Sequence, residues 1–115
     1  MENTIAEKSF RFAIRIVKVY KLLCQEQKEF TLSKQLLRAG TSIGANVAES
    51  QQAQSRADFI AKLSISLKET TESKYWLRLL HATDYLTDKQ FHSLFSDCVE
   101  LEKMLVAILK SCKSE

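Results

Sequence analysis

The chain has 115 residues, of which 45% are hydrophobic and 27% charged, with a formal net charge of +3. This is the size of one domain, 1–115, with one core, and the mild basic balance singles out no class of partner. No apolar run approaches the ~20 residues of a membrane span, and three cysteines without C-x-x-C spacing fit neither a disulfide framework nor a zinc site.

The opening Met1-Glu2-Asn3-Thr4-Ile5-Ala6-Glu7 carries acid where a secretory signal carries positive charge, so a cytoplasmic protein is expected. A first helix is predicted from about Thr4 to Gln27. Ile5, Ser9, Phe12, Ile16, Val19 and Leu23 recur at alternating steps of four and three, and Phe10, Ala13, Ile14, Val17 and Tyr20 widen the apolar arc beyond half the circumference. The polar break Gln25-Glu26-Gln27-Lys28-Glu29 holds the first turn. A second helix follows from about Leu32, with Thr31 or Ser33 as candidate caps.

The second helix contains both glycines of the protein. A glycine inside a helix costs about 1 kcal/mol relative to alanine, so Gly40 and Gly44, four apart, call for a packing reason. With Leu37 and Ala48 they form a stripe on which another helix backbone can lie close. Leu32, Leu36, Ala39, Ile43, Asn46 and Val47 make a second stripe. Two packing faces on one helix indicate a bundle rather than a helix lying on a sheet.

Apolar periodicity lapses over Ser50–Arg56, and Ser55 with Asp58 forms a capping-box pattern that starts the third helix. Its seam is Phe59, Leu63, Ser66, Thr70, Ser73 and Leu77, while Ile65, Glu69, Glu72, Trp76 and Leu79 lie on another face. Thr87 with Gln90 is the next capping box. The fourth helix runs from about Asp88 to Lys110, with Phe91, Leu94, Cys98, Leu101, Leu105, Ile108 and Cys112 at heptad steps, and all three cysteines fall in apolar patterns as buried thiols. Without prolines the turns are short and built by other residues. The expected fold is all-α, an antiparallel up-down-up-down four-helix bundle.

Three constellations bear on function. A hairpin centred near Ala53 would bring Gly40 beside Ser66 and Arg38 beside Lys68 and Glu69, so that Arg38 answers Glu69 and Glu72. That trio is either an acid/base pair in a cleft or a structural ion-pair network, and no nucleophile, glycine-rich phosphate loop or partnered histidine favours the former. A di-iron centre would need Glu-x-x-His motifs that the chain lacks, and His81 and His92 alone make a poor metal site, so no cofactor and no metal are expected. Lys8, Arg11, Arg15 and Lys18 fall within roughly 80° of one another on the first helix, a linear basic stripe that is either a solvated face or a contact for phosphates. No aromatic is interleaved with it, so base stacking is not indicated there.

Leu36-Leu37-Arg38-Ala39, Thr41-Ser42-Ile43-Gly44-Ala45-Asn46-Val47-Ala48-Glu49, Asp58-Phe59-Ile60 and Leu67-Lys68-Glu69-Thr70-Thr71-Glu72-Ser73-Lys74-Tyr75-Trp76-Leu77 resemble the bacterial four-helix bundle proteins encoded in intervening sequences of 23S rRNA genes. The likeness spans about Phe10 to Leu109. Ser50 stands where that family usually has glycine. The resemblance implies a homopentamer associated with nucleic acid, without an agreed activity, and relatives that include the accessory protein of diversity-generating retroelements. Arg38, Gly40, Gly44, Asn46, Glu49, Glu69, Glu72 and Trp76 are expected in structural or interface roles. Two functions follow as expectations. One is a non-enzymatic oligomer that binds RNA or DNA through Lys8, Arg11, Arg15 and Lys18. The other is a protein-interaction scaffold docking a partner enzyme such as a reverse transcriptase.

Overall fold

The computed structural model describes residues 4–114. Four helices follow in order, α1 (Ile5–Glu26), α2 (Leu32–Ser50), α3 (Arg56–Ala82) and α4 (Asp88–Ser114). Consecutive helices pack against each other and α4 closes the ring on α1, which is the slightest of the four contacts. The longest dimension, 47 Å, is close to the ~40 Å that 27 helical residues span. The four seams run antiparallel: Ile16 meets Gly40 while Ser9 meets Gly44, Arg38 meets Glu69 while Glu49 meets Lys62, Thr70 meets Cys98 while His81 meets Asp88, and Lys8 meets Glu100 while Arg15 meets Asp97. The bundle is therefore up-down-up-down.

The core is the heptad seam of each helix. Phe12, Ile16, Val19 and Leu23 of α1, Leu36, Ala39, Ile43 and Val47 of α2, Leu63, Leu77 and Leu80 of α3, and Leu94, Cys98, Leu101 and Leu105 of α4 are buried. In the middle of α3 the seam turns polar. Ser66, Thr70 and Ser73 are fully buried, and their backbone neighbours absorb part of that cost: the Ser66 hydroxyl donates to the Ile43 carbonyl at 2.8 Å and the Thr70 hydroxyl to Leu67 at 2.6 Å. Ser66 thus stands level with Ile43, about one turn along from the expected Gly40. The helix ends lie where the sequence places them, so the difference is an axial stagger of α3 against α2, which the midpoint of the loop does not fix.

Helix ends follow local chemistry, with one surprise. Thr4 accepts from the Glu7 N–H, Ser55 accepts from the Asp58 N–H, and Thr87 and Gln90 form a reciprocal capping box at 2.9 and 3.1 Å. At the start of α2, however, Thr31 makes no side-chain cap bond. The buried carboxylate of Glu29 takes that place, accepting from the Thr31, Leu32 and Ser33 N–H groups at 3.2, 2.9 and 2.7 Å. Lys28, in the left-handed region at φ 56, turns the chain so that Glu29 can do this, and Asp84 at φ 70 ends α3 in the same way. The cysteines also depart from expectation in part. Cys98 is buried, its thiol pushed up to about 12 chiefly by that burial, but Cys24 and Cys112 lie at the margin of the core and remain partly accessible.

The glycine stripe has a measurable job. A Cβ on Gly44 would stand 3.2 Å from the Ser9 carbonyl oxygen, so the α1 backbone rests on this position. A Cβ on Gly40 would stand 2.8 and 3.0 Å from the two γ carbons of Ile16, which is fully buried and β-branched and so cannot swing aside. Leu37 is half-buried beside them, whereas Ala48 is exposed and lies beyond the contact. Gly40→Ala would gain about 1 kcal/mol of helix propensity and lose about 1–3 kcal/mol to overpacking. A net loss on the order of 1 kcal/mol is expected, seen as a thermal midpoint about 4–8 °C lower. An unchanged or raised midpoint would show that Ile16 yields at no cost.

The Glu29 cap generates a pH dependence. Burial alone would raise this carboxyl, but the three N–H donors and the Ser33 hydroxyl outweigh it and hold the pKa below its ordinary 4.5. The unfolded chain therefore takes up the proton first as pH falls. Stability from this group is complete above about pH 5 and is lost as pH drops through the lowered folded value. Glu29→Ala should cost about 1–2 kcal/mol at neutral pH. In chemical denaturation, the gap between parent and variant should narrow below pH 4.5. A gap that stayed constant into acid would mean that the carboxylate charge is not what caps α2.

Candidate nucleic-acid interface

The basic stripe lies along the α1 rim of the seam with α4, the loosest contact in the bundle. Lys8, Arg11, Arg15 and Lys18 span about 15 Å of helix. They line two clefts on this seam, one of about 90 Å³ floored by Phe12 and Leu101, the other of about 360 Å³ floored by Val19, Leu22 and Leu94. Arg11 and Lys18 are exposed. The acidic Glu7 lies off the stripe, and Glu2 falls outside the described residues.

What sequence reasoning missed is the opposing helix. Lys8 Nζ pairs with Glu100 at 2.7 Å, and Arg15 pairs with Asp97 at 2.6 Å while its other nitrogen donates to the Ser93 hydroxyl at 2.8 Å. Lys8 and Arg15 are thus held by α4 acids. The signal was present, since Ser93, Asp97 and Glu100 recur at steps of four and three on one face of α4. Which helix face meets the stripe is a tertiary fact that neither helix carries alone.

The expected meeting of Arg38 with Glu69 and Glu72 is present. Arg38 pairs with Glu72 and stands 3.6 Å from Glu69, and the Trp76 indole N–H donates to the same Glu72 carboxylate at 3.0 Å. Glu69 is only 8% exposed, and its Oε1 has Arg38 as its nearest charge but no hydrogen-bond donor within the described residues. Arg38 therefore bridges α2 to two carboxylates of α3, an arrangement that aligns the helices. Lys62 and Glu49 repeat the bridge at 3.1 Å toward the turn, and Asn46 donates to the Ser42 carbonyl within α2. Trp76 is half-buried and packs on the core margin, with Tyr75 edge-on to it at 5.0 Å and 54% exposed.

The two histidines approach each other at the far end of the bundle, their ring centres 6.2 Å apart. His81 stacks on Phe91 and pairs with Asp88 at 2.7 Å. The His81 hydrogen bond and charge hold the Asp88 carboxyl below its usual range. Among the described residues no three His, Cys, Asp or Glu side chains converge as metal ligands would, and no helix is long and apolar enough to cross a membrane.

Comparison with known proteins agrees with this architecture. Nothing among curated proteins matches the chain. Among solved structures it is similar to a protein of unknown function from the S23 ribosomal protein family of Bacteroides thetaiotaomicron VPI-5482, at 56% identity and a TM-score of 0.92, over 93% of this chain and 99% of that one. The family model described as 23S rRNA-intervening sequence protein matches residues 1–107. With nearly its whole length covered, the chain belongs to the 23S rRNA-intervening sequence protein family.

Proposed function

We propose that the protein is a non-enzymatic, self-assembling bundle of the bacterial cytoplasm that associates with nucleic acid through the phosphate backbone. The observation that carries this is the alignment of Lys8, Arg11, Arg15 and Lys18 along one seam. Linear positive surface of this kind attracts a polyanion without regard to sequence. The family's naming for an rRNA intervening sequence supports the same partner class. Its non-enzymatic character rests on Glu69 and Glu72 being engaged by Arg38 in a helix-aligning role.

Self-assembly has separate support. Phe10 is 66% and Ile14 40% exposed on the outer side of α1, with Val17 half-buried one turn farther along, and Ile65 and Trp76 give α3 outer apolar surface as well. Contiguous apolar surface on a small domain marks an interaction site. A pentamer, as the family resemblance implies, would cover it. The same residues, with Phe30 at 58% exposure, favour a second function, a scaffold whose apolar surface docks a partner enzyme such as a reverse transcriptase.

Two measurements separate these readings. On light scattering the parent should elute at a multiple of the monomer mass, and Phe10→Lys with Ile14→Lys should fall to a monomer. A monomeric parent at tens of micromolar would leave the apolar face to a different protein.

Filter binding over a salt series tests the stripe. If each protomer neutralises about three phosphates of a duplex, the slope of log affinity against log salt is near −2.7. Asp97→Asn with Glu100→Gln releases Lys8 and Arg15 and should tighten binding and steepen that slope toward the about −3.6 of four phosphates, while Arg11→Gln with Arg15→Gln, which leaves two cations of the stripe, should flatten it toward about −1.8. Should both folded variants keep the parent's affinity and slope, the stripe serves only to hold α1 to α4 and the scaffold function takes its place.

A further inference from the structure

The end of the bundle where α3 finishes and α4 starts holds a cleft of about 380 Å³ that the basic stripe does not reach. That volume lies within the roughly 300–1,000 Å³ of small-molecule sites. Tyr75, Arg78 and His81 follow one another at steps of three along α3, so they stand one above the next on its outer face. Leu79 and Ala82 supply an apolar floor, and Phe91 of α4 closes the far wall.

The walls are flat and ordered. The His81 ring lies parallel to Phe91, 4.2 Å away and 6° from coplanar, and Phe95 extends the aromatic row at 5.0 Å. Asp88 holds the His81 Nε2 at 2.7 Å and so fixes the ring's orientation. That carboxylate lines the neighbouring cleft, on the Tyr85 side, and not this one. Tyr75 stands free at the mouth, 54% exposed, braced edge-on by Trp76.

A ligand that suits this cleft must offer a flat π face to the aromatic walls and an anion to the Arg78 guanidinium. A purely apolar group would leave Arg78 unanswered, and a simple anion would leave the ring walls uncovered. A nucleobase joined to a phosphate meets both demands, because every base has a π face and arginine takes phosphate in a planar fork. The base must be unstacked to present that face, which restricts the ligand to single strands, loops and ends. We propose that this cleft binds one base of a single-stranded nucleic acid, stacked against Tyr75 and the His81–Phe91 wall, with Arg78 on the adjoining phosphate. The inference rests on the nucleic-acid function above and extends it, since the α1 stripe contacts phosphates alone.

The test compares an oligothymidylate with an abasic strand of equal length and charge, at one salt concentration, by filter binding. Trp76, the sole tryptophan, touches Tyr75 and serves as a second readout through its fluorescence. The base-bearing strand should bind about tenfold or more tighter than the abasic one and alone should change the emission. Tyr75→Ala and Arg78→Gln replace exposed side chains, so circular dichroism and the assembly mass should match the parent. Tyr75→Ala should bring the base-bearing strand to the abasic level without altering abasic binding. Equal affinity of the parent for both strands would overturn this inference and leave the phosphate contact of α1 standing, whereas binding of neither strand would overturn both. A change of assembly mass on Tyr75→Ala would identify the cleft as a subunit contact and equally rule the proposal out.

Discussion

The close approach of α1 to α2 at Gly40 and Gly44 sets the geometry of everything else. Interhelical distance depends on the side chains at the contact, and two glycines bring the Ser9 backbone to within van der Waals range of α2. Because α1 is drawn toward α2, it is met by α4 at longer range. Short side chains cannot close that seam, but long ones can, and Lys8 and Arg15 reach across it to Glu100 and Asp97. Phe10 and Ile14, turned away from the Phe12 and Ile16 seam by the helical period, stay on the outside. The glycine contact in α2 thus accounts for the charged seam on one side of α1, and helical position for the apolar surface on the other.

The middle of the bundle is organised differently. Where an apolar core would tolerate sliding of one helix along another, the buried hydroxyls of α3 do not. Ser66 must find the Ile43 carbonyl, and Cys98 donates to the Thr70 carbonyl at 3.4 Å, so α2, α3 and α4 are tied at a single level. In a low-dielectric interior a displaced hydroxyl would lose its partner and its hydration together. Arg38 reinforces that register from the surface through Glu69 and Glu72, and Lys74 does so between α3 and α4 through Glu102 at 2.9 Å.

Heptad steps, the Ser55 and Thr87 caps and the glycine stripe were legible in the sequence because each is a signal carried within one helix or one turn. The Arg38 bridge was legible because antiparallel neighbours with a short turn leave few partners for a buried carboxylate. Glu29 was not legible as a cap. Its role depends on Lys28 taking a left-handed conformation, and nothing about lysine announces that. The level of Ser66 differs from expectation by about a turn because a loop's midpoint does not fix how far one helix is staggered along the other. The basic stripe could be seen, but not the α4 acids facing it. The cleft at Tyr75, Arg78 and Phe91 was hidden for a similar reason, since its walls come from two helices and only the turn between them brings His81 onto Phe91.

Those α4 acids change what the stripe can do. Lys8 and Arg15 sit in pairs whose carboxylates are about half exposed, at 52% for Glu100 and 45% for Asp97, so each pair contributes little to stability and is readily exchanged. To a polyanion they behave as built-in counterions: a phosphate that takes Lys8 must displace Glu100, and the loss of that pair offsets part of what the new contact gains. The counterions condensed on the nucleic acid would still be released, but each such exchange would gain less than contact with an unpaired cation. If the stripe binds phosphates as proposed, it would engage a dense run of them, where several exchanges occur together, in preference to an isolated anion, for which one exchange gains almost nothing. The ion pairs that hold α1 to α4 would therefore also set a threshold on which polyanions the stripe can hold.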